Sequence, residues 1–302
     1  MGASSTGGDS NGNSGRAVRS NGIGARLLAS AAAGAYLRTI LPWNSSVQPS
    51  RQPLFNVPVV VLGILAAMCL VHAFLYLVLT PEQQTRFLIL FAFIPARYDL
   101  EVLATESWAV GWGAAIWTFV TNAFIHINLM HLFFNAIWLL AFGPPVARRF
   151  GALRFTIFFA ATAAAGSAAD LVSHFGEAVP SIGASAAISG TMAASLRFLF
   201  QPRGPIDALR QGDEPDYRVP AAPLSAMWRD RRVLAFLAAW FAITLLFGLS
   251  TITMPGVTSN IGWQAHIGGF LAGLFGFALF DPVPSPANDA APAPEGDTTL
   301  HQ

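Results

Sequence analysis

The sequence predicts an all-α membrane protein with six spanning helices, and three observations carry that prediction. The chain of 302 residues is 54% hydrophobic and only 11% charged, where soluble domains carry about a quarter charged residues. Six mainly apolar runs, each in the range of about 17 to 25 residues that crosses a bilayer, lie at approximately 57–79, 129–147, 152–172, 182–200, 233–251 and 262–280. The cationic residues, all of them Arg, fall almost entirely on one side of those runs.

Taken in order, residues 1–52 open with Gly, Ser and Asn and have a composition that buries no core, so they are expected to form a cytoplasmic tail. Within it, the apolar and Arg-flanked stretch 25–41 predicts a short helix on the inner membrane surface. Cleavage there as a leader would reverse every later helix, against the Arg placement. The membrane domain is placed at 53–281. Its first span holds Cys69, the single cysteine, which excludes an intrachain disulfide and reads as a small buried apolar side chain. His72 in the same span reads as a satisfied core or interface histidine.

Between the first and second spans, residues 81–128 begin polar at Glu82, Gln83, Gln84 and Arg86 and end in the aromatic run Trp108, Trp112, Trp117 and Phe119. Aromatic side chains at that density favour the interface, which predicts a long outer loop half inserted in the leaflet. Irregular backbone at that depth must be covered by protein or line a wet cavity. Residues 201–232 form a polar loop between spans four and five, and 282–302 a Pro/Ala-rich cytoplasmic tail.

The arginines set the orientation. Five precede the first span, Arg148, Arg149 and Arg154 follow the second, and seven lie from Arg197 to Arg232; only Arg86 and Arg97 fall on the opposite side. Both termini are therefore expected in the cytoplasm, and the amino-terminal ends of spans two, four and six face outward.

Those three outward ends carry polar groups that a membrane helix does not hold without reason. Asn128 can cap span two, and His131 and Asn135 follow on one helical face. In span four, Gly183-Ala184-Ser185-Ala186 puts a serine near the outer end; in span six, Ala265-His266-Ile267-Gly268-Gly269 puts a histidine at the same depth. Both helices are lined with small residues, span six by Gly269-x-x-x-Gly273 and Gly276, so their backbones should approach closely. The Ser185 hydroxyl would then come within about 2.6 to 3.2 Å of a His266 ring nitrogen, the relation by which a base activates serine. The Ser185 N–H, His131 and Asn135 would supply donors to a developing oxyanion.

Other polar residues have plainer readings. Ser189 is expected to bond back to the preceding turn. His126 either lines the aqueous cavity or contacts loop backbone. Asp170 reads as a loop-facing carboxylate beside Ser173, His174 and Glu177 rather than a third member of the site. No H-E-x-x-H run exists, and the i,i+5 spacing of His126 and His131 is expected to put them on different helical faces, so neither metal nor other cofactor is expected. A transporter or proton channel would need polar groups continuing to the inner face, and the deeper thirds of the spans hold almost none.

Gly183-x-Ser185, His131-x-x-x-Asn135 and Ala265-His266-x-x-Gly269-x-x-x-Gly273, in register on spans four, two and six, together resemble the rhomboid intramembrane proteases over roughly residues 55–281. The resemblance implies a six-helix bundle with a Ser-His dyad: Ser185 as nucleophile, His266 as general base and then acid, and His131 and Asn135 at the oxyanion. It implies transmembrane protein substrates that enter laterally from the bilayer, a bacterial inner-membrane location and no nucleic-acid partner. The alternative within the resemblance is an inactive, client-binding rhomboid-like protein, which would have lost the serine or the histidine. Four positions differ from the usual pattern: Ala186 where Gly follows the nucleophile, Ser189 where an aromatic ring packs on the histidine, Asn122 where His is frequent, and Ala147 where an acidic residue is common, with Arg149 and Gly151 still in register.

Overall fold

A bilayer leaves the backbone no water to bond, so an apolar run closes its N–H and C=O groups within a helix. The computed structural model describes residues 57–105, 112–211, 213, 215–249 and 262–284. The expected tail at 1–52, with its inner-surface helix at 25–41, Trp108, and all of the expected tail at 282–302 beyond residue 284 lie outside the described residues.

The first helix, α1 (Val59–Leu77), turns Val61, Ile64, Met68, His72 and Leu75 inward at three- and four-residue spacing. Cys69 is exposed on this helix, which corrects the expectation of a buried thiol. The outer face of a membrane helix contacts acyl chains and accepts an apolar thiol as readily as a core does.

The described residues between 81 and 128 also differ from expectation, being mostly helical rather than irregular. They form α2 (Pro81–Phe91), a 3-10 turn at Pro95–Tyr98, α3 (Leu100–Thr105), α4 (Trp112–Thr121) and a second 3-10 turn at Asn122–Phe124. The polar cluster read as a loop is a helix start. Thr80 and Gln83 exchange both hydrogen bonds of a capping box, and Pro81 occupies the first turn.

Asn128 opens α5 (Leu129–Phe150), its Oδ1 accepting the His131 N–H at 2.8 Å. At the far end Gly151, with φ of 79°, both stops α5 and admits α6 (Ala152–Ser173). Span four is shorter than its apolar run: α7 (Ser185–Leu196) has 12 residues, about 18 Å of rise. Gly183, at φ of 117°, cannot be helical, and residues 197–200 form turns. Next come two short helices, α8 (Pro205–Gln211) and α9 (Leu224–Met227), then α10 (Arg231–Leu249) and α11 (Trp263–Phe280). Among the described residues, α1, α5, α6 and α11 are long and apolar enough to cross a membrane.

At the centre is α7, buried at every residue from Ala186 to Leu196. Its neighbour α11 meets it backbone to backbone: Gly269 lies on the Ala186 carbonyl and Gly273 on the Gly190 backbone, with no room for a Cβ on either. On the other side a Cβ on Gly190 would lie 2.5 Å from Thr162 of α6. The small residues counted in the sequence thus form the contact between three helices.

Opposite the serine end, a fully buried Arg149 closes the bundle. Its Nε and Nη2 donate to the two Asp281 oxygens at 2.8 Å, and its Nη1 donates to the carbonyls of Tyr217 and Val219, also at 2.8 Å. The guanidinium lies over the Phe198 ring at 4.8 Å. One side chain therefore links α5, the polar loop and the end of α11.

Candidate active site

The chain leading into α7 is fixed before the serine is reached. Phe93 and Ser181 exchange two backbone hydrogen bonds of 2.7 and 3.2 Å, and the Gly183 N–H donates to the Asn122 carbonyl at 2.9 Å. Gly183 then takes its positive φ, and helix begins at Ser185. In that position the Ser185 N–H has no intrahelical carbonyl to bond and is left for another acceptor.

His266 stands in the first turn of α11, which the glycine contacts hold against α7. Its Nε2 is hydrogen-bonded to the Ser185 Oγ at 2.7 Å. The two side chains expected to meet do so, and both are half-buried. The Ser189 hydroxyl donates to the Ser185 carbonyl at 2.8 Å, one turn back, and so is occupied with its own helix.

The His131 ring packs directly on Gly183. A Cβ there would stand 2.6 Å from Nε2 and 3.9 Å from the Asn135 Nδ2, which explains why this position is glycine on two counts, conformation and space. Asn135 is buried and spends one amide N–H on the His131 carbonyl at 3.0 Å, which leaves the other for a different acceptor. The structure thus gathers Ser185, His266, His131 and Asn135 at one end of three helices.

The residues that differ from the usual rhomboid pattern are accommodated. The Ala186 methyl faces Gly166 of α6, where a further Cβ would overlap it and would also stand 2.9 Å from the Ala265 carbonyl. Gly166 therefore receives the extra methyl; the sequence reading did not single it out, although a lone glycine in mid-helix was the available signal. The Asn122 Nδ2 donates to the Ser167 hydroxyl at 3.0 Å, which in turn donates to the Phe119 carbonyl at 3.1 Å. Asp170 is buried and accepts from the His174 Nδ1 at 2.9 Å.

His126 requires a correction. Its residue precedes α5, so helical-face spacing does not govern it, and its ring lies edge-on to that of His131 with centroids 5.0 Å apart. Its carbonyl accepts the His72 Nδ1–H at 3.1 Å. No group of three or more metal-ligating side chains occurs among the described residues.

A serine hydroxyl bonded to an imidazole, with amide and imidazole groups beside it, inside a bundle of bilayer-length helices, defines a multi-pass membrane protein with a serine-histidine site. The chain belongs to the rhomboid family: the rhomboid domain matches residues 113–281, which include all four site residues. It is 29% identical over 162 residues, 54% of its length, to Rhomboid protease GluP of Bacillus subtilis (strain 168). It is 25% identical over 160 residues, 53% of its length, to Rhomboid-like protease 1 of Toxoplasma gondii. The matches cover 25% and 45% of those two proteins, so the chain spans less than half the length of these curated relatives.

Proposed function

We propose that this protein is an intramembrane serine endopeptidase that cleaves transmembrane-anchored proteins near the outer membrane face. The observation that carries the reading is the 2.7 Å hydrogen bond from the Ser185 hydroxyl to His266 Nε2. As the Ser185 Oγ attacks a scissile carbonyl, His266 takes its proton and then returns it to the leaving amine. The Ser185 N–H, His131 and Asn135 stabilise the oxyanion. The reading requires no metal and no cofactor.

In this reading α7 and α10 complete six spans within a domain at 53–281, flanked by cytoplasmic tails. A helix as short as α7 can serve because its turns are covered by neighbouring protein rather than lipid. The amphipathic segment α2 to α4 lies half inserted at the outer leaflet, and the Arg-rich end of the bundle faces the cytoplasm of a bacterial inner membrane. The alternative of an inactive client-binding protein is disfavoured because both serine and histidine are retained.

The test is incubation of detergent-solubilised wild type, Ser185→Ala and His266→Ala with a model transmembrane substrate. Product is expected from wild type alone, each variant losing at least about a thousandfold in rate. Product from Ser185→Ala would overturn the assignment.

A further inference from the structure

In rhomboid-type sites an aromatic ring commonly packs on the histidine; here the corresponding residue is Ser189, whose hydroxyl is turned to its own helix. His266 must be held in place by other means. The glycine contacts fix the distance between α7 and α11 but not the rotation of the first turn of α11, and glycine backbones set no side-chain register. A polar connection exists at that turn. Gln264, two residues before His266, donates through Nε2 to the Nε2 of His174 at 3.3 Å. The His174 Nδ1–H donates to Asp170 Oδ1 at 2.9 Å, with the Asp170 side chain only 7% exposed.

The carboxylate determines the tautomer: with the proton held on Nδ1, Nε2 is left as the acceptor that an amide N–H requires. One buried carboxylate on α6 is thereby connected, through His174 and Gln264, to the turn of α11 that carries His266.

Resting on the reading of Ser185 and His266 as a catalytic pair, we propose that Asp170, His174 and Gln264 are positioning residues that set the rotation of α11 and so aim the His266 ring at Ser185. They touch neither the hydroxyl nor the imidazole. Their effect is on alignment, and small misalignments of a reacting pair are costly, about a hundredfold for an ångström. His174 is the informative position, because its side chain is 28% exposed at the helix end and so contributes little to the core.

The experiment measures the rate at which a fluorophosphonate probe modifies the full chain in detergent, alongside the thermal unfolding midpoint and, with a model transmembrane substrate, kcat and KM. His174→Ala and Gln264→Met, the latter of similar volume but without a donor, are each expected to slow labelling and kcat about tenfold, with KM and the midpoint unchanged. His174→Gln, which can donate to Asp170 and accept from Gln264, is expected to restore most of the rate. Equal labelling by wild type and His174→Ala would overturn the inference and leave the dyad standing. Loss of rate that tracks a lowered midpoint, or no rescue by His174→Gln, would also overturn it. A wild type that never labels would remove the dyad reading itself, and the inference with it.

Discussion

Gly183 shows how much one residue without a side chain contributes to this site. Its positive φ ends the extended segment tied to Phe93 and starts α7 at Ser185, and its bare Cα lets the His131 ring lie against the backbone. Alanine would meet both obstacles, a φ of 117° that L side chains rarely adopt and a contact of 2.6 Å to the imidazole. Gly183→Ala is therefore expected to lower the cleavage rate by about a hundredfold, through displacement of His131 and the serine. The bundle, held by α6, α7 and α11 below, should keep its helical circular dichroism. Unchanged cleavage would mean that the close packing of His131 on this glycine has no bearing on the chemistry.

Among the helices, the arrangement of α6, α7 and α11 follows from residue size. In lipid no hydrophobic force drives helices together, so close backbone approach along small residues has to supply the attraction. Gly269 and Gly273 bring the α11 backbone against that of α7, close enough for the His266 ring to reach Ser185. Under the proposed function a substrate helix faces the opposite requirement, because an intact helix hides its own carbonyls from a nucleophile. Matched transmembrane substrates with and without a Gly/Pro pair below the cut site are accordingly expected to differ in cleavage rate, the interrupted one being faster; equal rates would argue against local unwinding.

These features were legible in the sequence because they depend on spacing and size: the apolar runs, the cap at Asn128, the glycine face of α11 and the three polar helix ends. Less was legible where tertiary context decides. The capping box at Thr80 and Gln83 resembled loop composition, since the same residues that start helices also populate turns. The 12-residue length of α7 depends on the conformation of Gly183, which an apolar run does not record. His126 lay beyond the reach of helical spacing because it precedes the helix, and the partnership of Gly166 with Ala186 joins positions 20 residues apart on different helices.

For the molecule as a whole, the two ends of the bundle differ: the proposed chemistry belongs to one, and an ion pair closes the other. Arg149 and Asp281, joined by two bonds of 2.8 Å, fix the end of α11 to that of α5 and to the polar loop. Removing one partner leaves a buried, uncompensated charge, which typically costs about 3 to 5 kcal/mol. Asp281→Asn is expected to lower the thermal midpoint markedly while fluorophosphonate labelling below that midpoint proceeds at the wild-type rate, because the ion pair lies a full helix length from His266. A slowed labelling rate with an unchanged midpoint would instead couple this end to the site.

The most direct measurement is the position of the covalent adduct after fluorophosphonate treatment of the wild-type protein, read by mass spectrometry of its peptides. The account predicts a single modification on Ser185, abolished in His266→Ala. An adduct on Ser189, or labelling of Ser185 that proceeds equally well without the imidazole, would contradict it.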